Sequence, residues 1–182
     1  MTSTATAVRS GTWTLDPTHT EVGFTVRHIM SKVRGTFETF EGTIVTADDV
    51  TDSRVDVSVD LGSINTGTAD RDNHLRSSDF FEVETNPTMT FTSTGIVEKA
   101  PGELVVTGDL TIKGVTKPLE LDVEVLGEGG DPWGGTRVGV EATGQISRKE
   151  FGVDFNIPLD GDKVMIGDKI SIVINAQAVL QA

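Results

Sequence analysis

The chain has 182 residues, 36% of them hydrophobic and 24% charged, the balance of a folded single domain rather than a disordered segment. It contains no cysteine, which excludes disulfides, thiolate nucleophiles and thiolate metal sites. Its formal net charge of −13, from 15 Lys+Arg against 28 Asp+Glu, disfavours nucleic acid and anionic membrane surfaces as partners and favours solubility.

Residues 1–11 read as a flexible tail ahead of one domain spanning 12–182. The dominant signal beyond them is period two. Glu21 to His28 alternates, with Val22, Phe24 and Val26 on one face. Val33 to Thr46 continues as a strand region, and Val55, Val57, Val59 and Leu61 then alternate with Arg54, Asp56, Ser58 and Asp60. A short helix is expected over 68–76, with Thr68 as its cap and Asp70 and Asp72 at its positive end. Alternation returns at Met89/Phe91, Leu104 to Ile112, Leu119 to Val125, Val138 to Ile146 and Ile170 to Ala178, with a second helical turn over 147–151. Turn signals lie at Lys99-Ala100-Pro101-Gly102 and Gly114 to Pro118, and the run Gly127 to Gly135 reads as a glycine-rich hairpin loop.

About eight strands, each apolar on one face and joined by short connections, imply an antiparallel all-β domain, either a sandwich or a closed barrel. The inward faces mix Val, Ile and Phe with Gly35, Gly42, Gly108, Ala142, Gly144, Ala176 and Ala178. Those small residues either leave volume for a ligand, as an eight-stranded barrel can, or mark bends where strands coil.

Ordered motifs then carry a resemblance. They are Trp13-Thr14-Leu15-Asp16-Pro17-Thr18-His19-Thr20, Val22 to His28, Val33-Arg34-Gly35-Thr36-Phe37 with Phe40-Glu41-Gly42, and Ser63-Ile64-Asn65-Thr66-Gly67. Arg71 to Phe81, Asn86 to Thr94, Gly108 to Pro118 and Ser147-Arg148-Lys149-Glu150-Phe151-Gly152 complete the set. From about Trp13 to Gln181 the chain resembles the YceI-like family of lipocalin-like, polyisoprenoid-binding proteins. The resemblance implies an extended eight-stranded antiparallel barrel, a homodimer, and an apolar lumen that takes a polyisoprenoid or isoprenoid-quinone tail as carrier, store or scavenger. It requires no cofactor beyond such a bound lipid. Many members of that family are periplasmic; no apolar run of signal-peptide length opens this sequence, so the cytoplasm is the expected compartment, without stable membrane insertion.

The ligand-binding residues expected on that reading are Phe24, Val26, His28, Phe37, Phe40, Val57, Val59, Met89, Phe91, Leu110, Ile112, Ile146 and Ile172. Arg27, Lys32 and Arg34 are candidate head-group contacts, their alternative being ordinary surface charge. Two other readings compete. In one, the barrel is filled by its own side chains and serves as a structural or stress-associated interaction module. In the other, Asp72, His74 and Ser77 or Ser78 form a hydrolase site, although no GxSxG elbow is present. His19, His28 and His74 show no zinc spacing, so neither a catalytic nor a metal site is expected.

Overall fold

The computed structural model describes residues 8–157 and 165–181. Among these residues eleven strands form one antiparallel sheet: β1 (Gly11–Leu15), β2 (Glu21–His28), β3 (Ser31–Phe37), β4 (Phe40–Thr46), β5 (Arg54–Asp60), β6 (Ile64–Asn65), β7 (Thr88–Ala100), β8 (Glu103–Ile112), β9 (Val115–Gly130), β10 (Thr136–Ser147) and β11 (Ile166–Leu180). Eight of them close into a ring in the order β1-β4-β5-β7-β8-β9-β10-β11, sealed where Trp13 to Leu15 pair with Leu180 to Ala178. The expected eight-stranded barrel is therefore present. Its membership differs from a count of alternating segments, since β1 joins the ring and β2 does not. β11 pairs with β1 near its C-terminus and with β2 over Ile166–Asn175, so β2-β3-β6 branches from the ring as a flap. The region 33–46 breaks after Phe37 into β3 and β4, which belong to the flap and the ring respectively.

Turn chemistry follows the sequence closely. Pro101-Gly102 joins β7 to β8, with Gly102 at φ 79°, the residue order of a type II turn. Lys113-Gly114 joins β8 to β9 with both residues at positive φ, 55° and 75°, as a type I′ hairpin turn requires. Two expectations need correction. Val115 to Pro118 are already laddered onto β8 rather than forming the turn. Gly127, Gly129 and Gly130 pair with Gly139, Arg137 and Thr136, so the loop shrinks to residues 131–135. Cross-strand partners outweigh the low strand propensity of glycine here.

The helix α1 (Ala69–Arg76) and a 3-10 turn at Arg148–Phe151 form where expected. Thr68 makes no side-chain cap. Asp72 instead turns back, its Oδ1 accepting from the Thr66 amide (2.9 Å) and hydroxyl. Arg76 donates to the carbonyls of Gly62 and Ile64, fixing α1 to the strand β6 beside it. Trp13 is fully buried, with its indole N–H donating to the Thr46 hydroxyl at 3.0 Å. Of the tail expected over 1–11, residues 1–7 lie outside the described residues; Val8 packs on the core, Arg9 pairs with Glu128 and Gly11 opens β1.

Candidate ligand-binding site

The inward faces enclose a cavity of about 310 Å³. Its wall is hydrocarbon almost throughout, because period-two strands send every second residue to the same side. Eleven of the residues expected to line it do so: Phe24, Val26, Phe37, Val57, Val59, Met89, Phe91, Leu110, Ile112, Ile146 and Ile172. Phe40 and His28 do not. Phe40 is buried in the core cluster with Trp13 and Leu15, and His28 ends β2 beyond Val26, opposite Ser31 and Ile166. The head-group expectation for Arg27, Lys32 and Arg34 also changes. Arg27 pairs with Lys32 and Thr25 with Arg34, which sets all three on the face opposite Phe24 and Val26, exposed on the outside of the flap.

The small inward residues act differently from either alternative raised by the sequence. Gly35 lies under the ring of Phe24 and Gly108 under that of Phe91, while Leu15 covers Gly42 and Leu121 covers Gly144. A Cβ at Gly108 would come within 2.6 Å of both the Phe91 ring and the Thr92 carbonyl. These glycines seat cross-strand side chains; they are not the empty space. The space lies within the ring itself, since an eight-stranded barrel is wide enough to hold one small ligand.

Several lining groups carry no period-two signal. Leu75, Phe80 and Phe81 come from α1 and the segment after it, and Phe151 and Val153 from the 3-10 turn and the residues that follow it. Phe80 packs with Phe155 and His74 at centroid separations of 5.2 and 5.0 Å. Arg148 is the one charged residue of the described wall. It is only 5% exposed, and its guanidinium donates to the carbonyls of Gly167 (2.8 Å), Val153 (2.8 Å), Phe155 (2.9 Å) and Ile166 (3.3 Å). Burial pulls its pKa below the usual arginine value, partly opposed by Asp168 and Asp154, and the group stays protonated. It staples the chain on either side of residues 158–164 together, and its only advance notice was the Ser147 to Gly152 motif.

The residues considered for a hydrolase do not converge. Asp72 is engaged by Thr66, His74 Nε2 faces Asp79 Oδ2 at 2.8 Å, and the Ser77 hydroxyl donates to the His74 carbonyl at 2.6 Å. Among the described residues, every buried side-chain polar atom has a hydrogen-bond partner.

Comparison with known proteins agrees with this geometry. The chain is 45% identical over 135 residues to UPF0312 protein plu2095 of Photorhabdus laumondii, covering 73% of this chain and 70% of that one. It is 42% identical over 166 residues to Protein YceI of Salmonella arizonae, covering 90% and 83%. Among solved structures, the Campylobacter jejuni YCEI protein superposes with a TM-score of 0.72 at 32% identity, covering 92% of this chain and 97% of that one. Burkholderia cenocepacia BcnA, at 21% identity and a TM-score of 0.79, covers 90% and 98% and shares the fold. So does a polyisoprenoid binding domain from Saccharophagus degradans, at 18% identity and a TM-score of 0.70, covering 95% and 100%. With the YceI-like domain matched across residues 13–178, the chain belongs to that family.

Proposed function

We propose that this barrel binds a long apolar lipid of the polyisoprenoid or isoprenoid-quinone class in its lumen, and acts as a carrier, store or scavenger rather than as an enzyme. The observation that carries this reading is the cavity of about 310 Å³ with its almost unbroken hydrocarbon wall. That volume lies at the lower end of the roughly 300–1,000 Å³ range of small-molecule sites. It also favours a ligand-holding barrel over one filled by its own side chains. The Saccharophagus domain of the same fold is described as polyisoprenoid binding, which supports the choice of lipid class.

An isoprenoid tail makes no hydrogen bonds, so its affinity comes from leaving water, at about 0.8 kcal/mol for each methylene-sized group buried. A few isoprene units then suffice for micromolar binding after the ordering costs of association. Selectivity follows from length and width rather than from polar recognition.

Ala142 is buried in the wall and leaves room that a larger side chain would occupy. Ala142→Phe is expected to weaken geranylgeraniol binding by roughly tenfold or more, read by titration against the parent protein. Solvent extraction and mass spectrometry of protein from its native host should recover an apolar chain lipid. Absence of both a bound lipid and geranylgeraniol binding would overturn the reading.

A further inference from the structure

The tip of the β2–β3 hairpin is built unlike the rest of this acidic surface. Ile29 and Met30 form its two-residue turn and are 49% and 90% exposed. Ile29 also holds left-handed backbone, at φ 57°, in a turn position where glycine is unstrained and a β-branched residue is a rare outlier. Folding alone would favour a small residue there, so an exposed, strained isoleucine points to a use for its side chain. Behind the tip, Arg27, Lys32 and Arg34 share the outer face of the hairpin. No carboxylate lies between Glu21 and Glu38, in a chain with 28 of them. Lys169, exposed on the neighbouring strand β11, adds a fourth cation. The nearby Asp168 accepts from the Ser147 hydroxyl and the Lys149 amide, while Glu150 and Asp154 belong to the segment after β10 rather than to the hairpin.

We propose that this tip is a contact site for an anionic lipid bilayer, with Ile29 and Met30 entering the acyl boundary and Arg27, Lys32 and Arg34 meeting the head groups. Charge complementarity selects this occupant. A protein of net charge −13 is repelled as a whole, but that repulsion is screened beyond about 8 Å at physiological ionic strength, leaving the local basic patch to decide short-range contact. The tip also stands at the end of the barrel where Val26, Ile166 and Ile170 line the lumen. An insoluble cargo would thus pass between bilayer and lumen over a short path. That transfer role rests on the lumen reading; the bilayer contact does not.

The test is flotation of the full chain with vesicles of phosphatidylglycerol and phosphatidylcholine, and with phosphatidylcholine alone. Binding to the anionic vesicles is expected to be about tenfold stronger or more, and to fall as salt rises. Ile29→Gly/Met30→Ser should abolish flotation without lowering the melting temperature, since glycine relieves the strained backbone. Arg27→Gln/Lys32→Gln/Arg34→Gln should remove the preference for anionic lipid. Equal binding to both vesicles, or unchanged flotation of the tip variant, would overturn the proposal. So would a tip variant whose only change is the loss of self-association, which would assign the patch to a second copy of the chain. Geranylgeraniol titration of the same proteins keeps the two readings apart: lost flotation with intact titration is the expected result. A protein that floats but takes no geranylgeraniol leaves the tip assigned and the lumen reading refuted.

Discussion

Asp16 shows at the scale of one residue what sequence motifs leave out. Its Oδ1 accepts from the Thr18 amide at 3.0 Å, and its Oδ2 faces His19 Nδ1 at 2.7 Å and Arg137 Nη1 at 2.6 Å. Arg137 in turn donates from Nε to Asp131 at 2.8 Å and lies 5.4 Å from the centre of the exposed Trp133 ring. The link joins the end of β1 to the loop between β9 and β10. The hydrogen bond from Arg137, and then that from His19, hold the Asp16 carboxyl far below the usual carboxylate range. Asp131 is lowered as well, chiefly by the Gly135 amide, with Arg137 contributing. Carboxylates with depressed folded-state pKa values stabilise the fold above their unfolded value near 3.9 and lose that contribution as pH falls through the folded one. The melting temperature is therefore expected to be flat above about pH 5 and to fall steadily below about pH 4. Asp16→Asn should lower it at neutral pH and flatten the acid slope, measured by calorimetry across that range; parallel acid slopes in the two proteins would refute this role for Asp16. Asp16 stands in a recognisable motif, but Arg137 is 121 residues away, and no local pattern joins them.

At the scale of elements, strand and turn chemistry was mostly readable because it is local. Alternation in Arg54–Asp60 and in β8 to β11 records which face meets the core, and a one-residue slip would invert it. The same rule sets Arg27, Lys32 and Arg34 outside the lumen: a charge next to Val26 in sequence faces away from it in a strand. The Lys113-Gly114 turn offers a sharp check. Gly114→Ala forces a Cβ into left-handed backbone and should cost about 1 kcal/mol, whereas Lys113→Asn should be neutral or stabilising by a few tenths. Urea unfolding of both variants measures the difference, and equal destabilisation would refute the type I′ assignment. What escaped at this scale was pairing that overrides propensity, as in Gly127 to Gly130, and packing across strands, as in Phe24 over Gly35.

For the whole molecule, closure is the decisive event. β1 is only five residues long, yet it pairs with both β4 and β11 and completes the ring. The β2-β3-β6 flap is tied less evenly, since β6 pairs with β3 through two residues alone. Native-state hydrogen exchange should accordingly find the amides of β3 and β6 opening well before those of β8, β9 and β10, which are laddered on both sides. Uniform protection across the flap and the ring would contradict this order. The sequence by itself determined an antiparallel, one-sided β domain, the places of some of its turns, and most of the hydrocarbon that faces inward, because these follow from period two and from local backbone preference. Tertiary structure alone decided which strands close the ring, that Phe40 and His28 stay out of the lumen wall, and that Arg148 joins it. It also decided that the inward glycines are seats for neighbouring rings. Each of these depends on residues distant in the chain meeting in space, and periodicity carries no record of which distant strand a face will meet.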